Sequence, residues 1–331
     1  MGILKLYERL TGYFSKGEID VIKIGVVNID TSHPKAFADY LTKYGRAQYT
    51  AVYNDGFRGD DEVESFMRSY ALQKRCGSIE ELADMVDIGF IQSCNWDKHL
   101  SQAMPFLKKG KPVFIDKPIA GNIKDCMELE KLYREGMVIL GSSSVRYACE
   151  IDDFLSRTEE ERGKIMNIYG TAGVDEFNYA IHIVEAISRL AGCNAVSSRF
   201  VGRSCQDGKM CETFFVEFQN GVTATYNTFH EVWMPFEIVI MTTKGTYQFR
   251  IDITKIYGAL LDRICDYIES GRNMLASVPE LTDSVKIMLA SRISRENHGA
   301  VVRISDIPES DPGYDGYAFE KDYAKASAKI Y

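Results

Sequence analysis

Val21-Ile22-Lys23-Ile24-Gly25-Val26-Val27, running through Asn28-Ile29 into Asp30-Thr31-Ser32-His33-Pro34, decides the architecture of this chain. The β-branched residues suit a strand buried on both faces of a parallel sheet, and Asp30 to Pro34 supply cap residues and a first-turn proline for a helix over 35–44. The unit then repeats. Tyr49 to Tyr53 reads as a strand, 60–74 as a charged helix, 79–85 as a helix capped by Ser78, and 88–92 as a strand. Asp97 is placed to cap a helix over 98–109, which leads to the strand Val113-Phe114-Ile115; a helix over 122–135 leads to Val138-Ile139-Leu140-Gly141. Strands alternating with helices predict an α/β doubly wound parallel sheet with right-handed crossovers.

Working outward, Ile3, Leu4, Tyr7, Leu10 and Tyr13 fall at helical spacing, so 1–20 reads as a helical extension ahead of the domain 21–148. After about residue 150 longer strands crowd together: 198–203, 213–218, 222–226, 237–241 and 246–251, with a hairpin turn at Gln219-Asn220-Gly221. Helices over 176–190, 256–270 and 280–298 end at Gly192, Gly271 and Gly299, where a left-handed C-cap costs least. An α+β domain with a mainly antiparallel sheet is expected over 149–308, followed by a tyrosine-rich tail, 309–331.

A chain of 331 residues exceeds what one core usually holds, and 45% hydrophobic with 26% charged residues is an ordinary globular balance. The net charge of −8 argues against a nucleic-acid surface, which needs basic residues against phosphate. No long apolar run reads as a signal peptide or a membrane span, so a cytoplasmic protein with a small-molecule ligand is expected. The cysteines are scattered singly; Cys205 and Cys211 flank a short polar turn and could pair, which a reducing compartment disfavours. The five histidines form no ligand spacing with one another, so no metal is implied.

Two places carry candidate chemistry. Lys117 stands at the end of the strand 113–115, where doubly wound folds bind ligands beyond the strand ends; the plain alternative is a solvated lysine before Pro118. Asn178 and His182 are four residues apart and would project from one helical face, with His182 the base candidate because imidazole titrates near neutral pH. The alternative there is a histidine that packs and makes one hydrogen bond.

These pieces, in their order, resemble the Gfo/Idh/MocA oxidoreductases, the glucose–fructose oxidoreductase and inositol dehydrogenase relatives. The likeness runs from about 21 to 307. Its most specific segment is Leu107 to Pro118, with Asp116-Lys117-Pro118 in place of Glu-Lys-Pro; Ser78-Ile79-Glu80-Glu81-Leu82, His99, Gly163-Lys164-Ile165, Asn220-Gly221 and Gly299 to Ile307 follow. The resemblance implies a Rossmann-like dinucleotide-binding first domain and an NAD- or NADP-dependent oxidoreductase acting on a secondary alcohol or ketone of a sugar, cyclitol or related polyol. It implies that Lys117 hydrogen-bonds the reacting oxygen beside the nicotinamide, with His182 and Asn178 completing the catalytic set and Arg146 and Asp175 joining Lys117, Asn178 and His182 as substrate contacts. Asn178 stands where the family commonly has Asp, and an amide cannot accept a proton. A homodimer or homotetramer, joined through the second sheet, is also implied, as are two other outcomes: a non-redox descendant serving as a ligand-binding or partner subunit, and a redox-neutral glycoside-cleaving relative.

The departures concentrate on the cofactor. All three glycines of the family's Gly-x-Gly-x-x-Gly are replaced along Asn28-Ile29-Asp30-Thr31-Ser32-His33, which removes close backbone approach to a diphosphate and adds a carboxylate. Two readings stay open: Thr31, Ser32 and His33 bind phosphate at the helix start, or Asp30 and Ser32 only cap the helix. Asn54 takes the ribose-binding position with Asp55 beside it, and Arg58 is near enough to meet the 2′-phosphate of NADP. Ser93, Asn95, His99, Asp116 and Lys117 complete the implied cofactor contacts; Trp96 could stack on a ring or pack in the core.

Overall fold

The computed structural model describes residues 21–327, so the helical extension read over 3–15 lies outside the described residues. The first sheet is built from β1 (Ile22–Val27), β2 (Ala47–Tyr53), β3 (Lys74–Arg75), β4 (Ile88–Ile91), β5 (Val113–Asp116) and β6 (Ile139–Ser142) in the order β3-β2-β1-β4-β5-β6. All pairings are parallel, and the order reverses beside β1, which opens a crevice at the carboxyl ends of β1 and β4. The crossovers are α1 (His33–Tyr44), α2 (Asp60–Ser69), α3 (Ile79–Met85), α4 (His99–Lys108) and α5 (Ile123–Arg134). Val26, Val27, Phe90, Ile91, Phe114 and Ile115 are fully buried, as the unbroken apolar runs require.

Local details differ from expectation. The charged helix stops at Ser69 rather than 74 because the chain turns through Ala71 at φ 53°. Neither Asp30 nor Ser32 caps α1: Ser32 makes no side-chain cap bond, and the Asp30 carboxylate turns inward to accept from Cys94 N at 3.1 Å. Asp97 is not a cap either. Asn95 caps the short turn Trp96–Lys98, and Asp97 Oδ2 accepts from Gly316 N.

Beyond α6 (Cys149–Ser156) and α7 (Glu159–Arg162) the second sheet comprises β7 (Ile165–Ala172), β8 (Ala195–Gln206), β9 (Lys209–Phe218), β10 (Thr223–His230), β11 (Glu237–Thr242), β12 (Thr246–Arg250) and β13 (Val302–Arg303). Its order is β12-β11-β7-β10-β9-β8-β13, antiparallel throughout except β7 with β10. Strand β7 had no counterpart among the expected strands; its buried side is Ile168, Gly170 and Ala172, too small to mark an apolar run. The helix α8 (Ala180–Ala191) packs on it, with Ile183 where a Cβ on Gly170 would come to 2.7 Å. It begins four residues later than 176, because 173–179 form turns tied to the chain at 231–232 by Val174 N to Val232 O and Glu231 N to Val174 O. All eight cysteines are free, Cys205 and Cys211 included.

The helix α9 (Ile256–Ser270) lies against the first domain, where Leu260, Leu261 and Ile264 share a cluster with Ile22, Phe37 and Leu41. α10 (Val278–Glu296) spans the second sheet, with Ser291 bonded to Ser198 and Tyr226. The tail contains a helix, α11 (Gly316–Ala326), that the tyrosine-rich sequence had not suggested. Among the described residues no helix is long and apolar enough to cross a membrane.

Candidate active site

At the carboxyl end of β5, just after Asp116, the chain delivers Lys117 into a cavity of about 170 Å³ between the two sheets' domains. Thr31, Ser32 and His33 line it from the start of α1, Asn178, Tyr179 and His182 from the start of α8, and Trp233, Met234 and Phe236 from the loop before β11. The Lys117 ammonium donates to Asn178 Oδ1 at 2.7 Å and to Asn178 O at 3.1 Å, leaving one of its three N–H groups for the cavity. Burial pulls the lysine below its ordinary range, against the opposing pull of Asp116 and Asp175. Asn178 lies in the turn before α8, so the shared helical face expected with His182 does not exist; the two meet Lys117 because the turn folds back.

His182 is buried, and its Nδ1 lies 2.6 Å from Ser143 Oγ, which makes Nε2 the ring nitrogen available to the cavity. Burial, then Lys117 and His33, hold its pKa well below 6.5, so the ring is neutral at physiological pH. A second imidazole faces it. His33 and His182 have ring centroids 6.4 Å apart, and His33 Nδ1 is 2.6 Å from Asp116 Oδ2. Burial would raise Asp116, but His33 and Lys117 outweigh it and keep the carboxyl below the usual range; an ionised carboxylate only accepts, so His33 Nδ1 donates. This His33–Asp116 pair was not legible as such: His33 had been read as a phosphate donor, and its partner lies 83 residues away.

Other expected site residues serve the scaffold. Asp175 accepts from Tyr179 N at 2.9 Å and from Asn178 Nδ2 at 3.3 Å, so it positions the turn instead of lining the cavity. Arg146 is buried behind α8, donating to Glu185 O at 3.0 Å, and does not reach the cavity. Glu185 accepts from Ser142 Oγ at 2.8 Å, and burial lifts its pKa to about 7. His99 is a core histidine, its Nε2 2.9 Å from Ser93 O. Trp96 packs between Phe177 and Phe319 and donates Nε1 to Tyr314 O at 2.6 Å, so it is a packing aromatic.

The expected cofactor contacts are mostly engaged within the protein. Asn28 bonds Ser93 Oγ and Asp55 N; Asn54 bonds Ile29 N and the Arg58 carbonyl; Asp55 accepts from Gln102; Asn95 donates to Glu320 at 3.0 Å. Arg58 does not wait for a 2′-phosphate. It is buried, with its guanidinium on Asp30 O, Glu62 and Ser327. Gly56 closes over Asp30, where a Cβ would lie 1.9 Å from Oδ1. Thr31 and Ser32 remain at the helix start beside the cavity, with the Asp30 carboxylate folded under the turn and α11 in contact with the turns after β2 and β4.

Asp30 itself yields a stability prediction. Burial, only partly offset by the bond from Cys94 and by Lys98, raises its pKa from 3.8 to about 6. A raised acid stabilises the fold fully below its ordinary value and loses that contribution as pH rises through about 6, so the ionised form is the costly one. Asp30→Asn keeps an acceptor for Cys94 N and should raise stability at about pH 7.5 by up to about 3 kcal/mol, a gain that vanishes near pH 4. Thermal melts at both pH values check this; a loss of stability at the higher pH would contradict it.

Residues 15–143 match the GFO_IDH_MocA model, described as an oxidoreductase family with an NAD-binding Rossmann fold. The match covers the first domain and leaves the second outside it. No curated protein matches the sequence. Similar solved structures include the apo scyllo-inositol dehydrogenase from Lactobacillus casei, 15% identical with a TM-score of 0.74 over 88% of this chain and 100% of that one. GenD2 from gentamicin A biosynthesis, in complex with NAD, is 14% identical with a TM-score of 0.73 over 88% of this chain and 99% of its own. An oxidoreductase from Thermotoga maritima is 17% identical with a TM-score of 0.71 over 87% of this chain and 100% of its own. At these identities the likeness is one of fold, and it covers both domains.

Proposed function

We propose that this protein is a Gfo/Idh/MocA oxidoreductase throughout, and that it oxidises or reduces a secondary alcohol or ketone of a sugar, cyclitol or related polyol held in the cavity. The observation that carries this reading is the convergence of Lys117, Asn178 and His182 on one cavity at the end of β5. The family's nicotinamide, NAD or NADP, supplies or accepts the hydride when bound. The rest belongs to the chain's own side chains. Lys117 donates to the oxygen that becomes alkoxide-like as the C–H bond breaks, stabilising charge that develops mainly in the transition state. His182, neutral because it is buried beside Lys117, takes the hydroxyl proton at Nε2 without first losing one of its own. His33, oriented by Asp116, is a second hydroxyl partner across the cavity.

The remaining walls suit a polyhydroxylated ring. Tyr179, Phe236 and Tyr257 give apolar faces, and Trp233, 60% exposed at this cavity, can stack against the C–H face of a sugar. The face of the second sheet opposite its buried side carries exposed Met241 and partly exposed Tyr169, Phe215 and Val239, which fits association with a second copy; sedimentation as a dimer or tetramer is expected, and a monomer would contradict it.

The test of function is the absorbance of reduced nicotinamide on mixing the protein, with and without its terminal helix, with a panel of cyclitols, aldoses and their ketones and each of the four cofactor forms. Polyol-dependent turnover is expected. No turnover by either form across the panel would contradict the oxidoreductase reading. It would favour the non-redox descendant, which the occupied groove and the inward Asp30 support.

A further inference from the structure

We propose that α11 is an intramolecular plug: it occupies the groove in which the family's dinucleotide would lie, and a dinucleotide binds only when this helix leaves. The inference rests on the oxidoreductase reading above. In open α/β sheets a dinucleotide crosses the carboxyl ends of the strands at the point where strand order reverses, over the turns after β1, β2 and β4. In this chain α11 and the residue after it contact those turns. At the turn after β4, Gly316 N donates to Asp97 Oδ2 at 2.8 Å, Phe319 lies 4.9 Å from Trp96, and Glu320 accepts from Asn95 Nδ2 and Lys98 Nζ, each at 3.0 Å. Over the turn after β1, the Glu320 carboxylate stands within 4.8 Å of ligand atoms of Asp30 and Cys94. At the turn after β2, Tyr323 lies 6.3 Å from Phe57, and Arg58 Nη2 donates to Ser327 O at 3.0 Å. One peptide segment thus lies across all three turns that a dinucleotide would cross.

The seat is built to be left. Within α11 only Gly316 is buried, so the helix is held by side-chain contacts, with Phe319 packed on the edge of the core. The chain just before it is anchored: Tyr314 stacks on Phe177 with centroids 4.0 Å apart, its hydroxyl donates to Glu176 at 2.7 Å, and its carbonyl accepts from Trp96. A hinge at Asp315, beyond this anchor, lets the helix depart without loosening the domain below. Tyr323 also lines the cavity with His33 and Lys117, so the same movement widens the reaction site.

The experiment is titration with NADH and with NADPH, by nucleotide fluorescence, of the full chain, of the chain lacking residues 315–331, and of the Phe319→Ala/Glu320→Ala double variant. A ligand that needs a minor conformer has its affinity reduced by the population of that conformer, so both variants should bind at least about tenfold more tightly than the full chain. Equal affinity in all three overturns the plug and leaves the oxidoreductase reading intact. No binding by any, with folded variants verified by their circular dichroism melts, overturns both. If the shortened chain does not fold, the double variant carries the comparison.

Discussion

Lys117→Met lowers kcat by about 10²–10³-fold on the best polyol while leaving the fold and ligand affinity nearly unchanged, the cost of removing one donor to a developing oxyanion. The side chains are similar in length, so the loss is the charge and not the volume. The freed Asn178 carbonyl and amide remain beside the cavity and can be hydrated. In the unaltered protein, burial has already pulled the Lys117 ammonium below its ordinary range, so activity that depends on this donor should fall on the alkaline side earlier than a solvated lysine would allow. Stopped-flow turnover against pH checks both statements; full activity in Lys117→Met would remove the residue from the mechanism and return it to the solvated strand end that sequence alone also permits.

The second large effect is expected at His182. His182→Phe should cost about 10²–10⁴-fold in kcat/KM for alcohol oxidation, the usual contribution of one general base. The direction of the pH profile separates catalysis from packing. With the imidazole pKa well below 6.5, oxidation should show no acid limb near neutrality that is attributable to this group. His33 is close enough to take over part of the role, so the residual rate of His182→Phe should fall further in a His33→Phe/His182→Phe double variant. Additive, independent losses would show that the two rings do not serve one substrate.

The alternation of strand and helix from Val21 to Gly141 was legible because buried parallel strands must be apolar on both faces, and the observed sheet follows it closely except for the exposed two-residue β3, which carries no apolar signal. Lys117 and His182 were legible as a pair only through the family pattern; nothing local distinguishes them from a solvated lysine and a packed histidine. β7 escaped because its inward residues are Gly170 and Ala172, which carry no apolar signal. The partners of the expected cofactor positions were not legible, for a different reason. Asn28, Asn54, Asn95 and Arg58 lie at the expected turns, but their hydrogen-bonding capacity is spent on each other and on a helix 225 residues beyond Asn95. No local motif encodes such a contact. The replaced glycines were the one visible sign that this turn is built differently from a glycine-rich dinucleotide turn.

The most direct test of the reaction centre is a crystal structure of the protein with the polyol that turns over fastest. The predicted result is one substrate hydroxyl within about 2.6–3.2 Å of both Lys117 Nζ and His182 Nε2, with Trp233 against the ring. A polyol ordered elsewhere, with this cavity empty, would contradict the account.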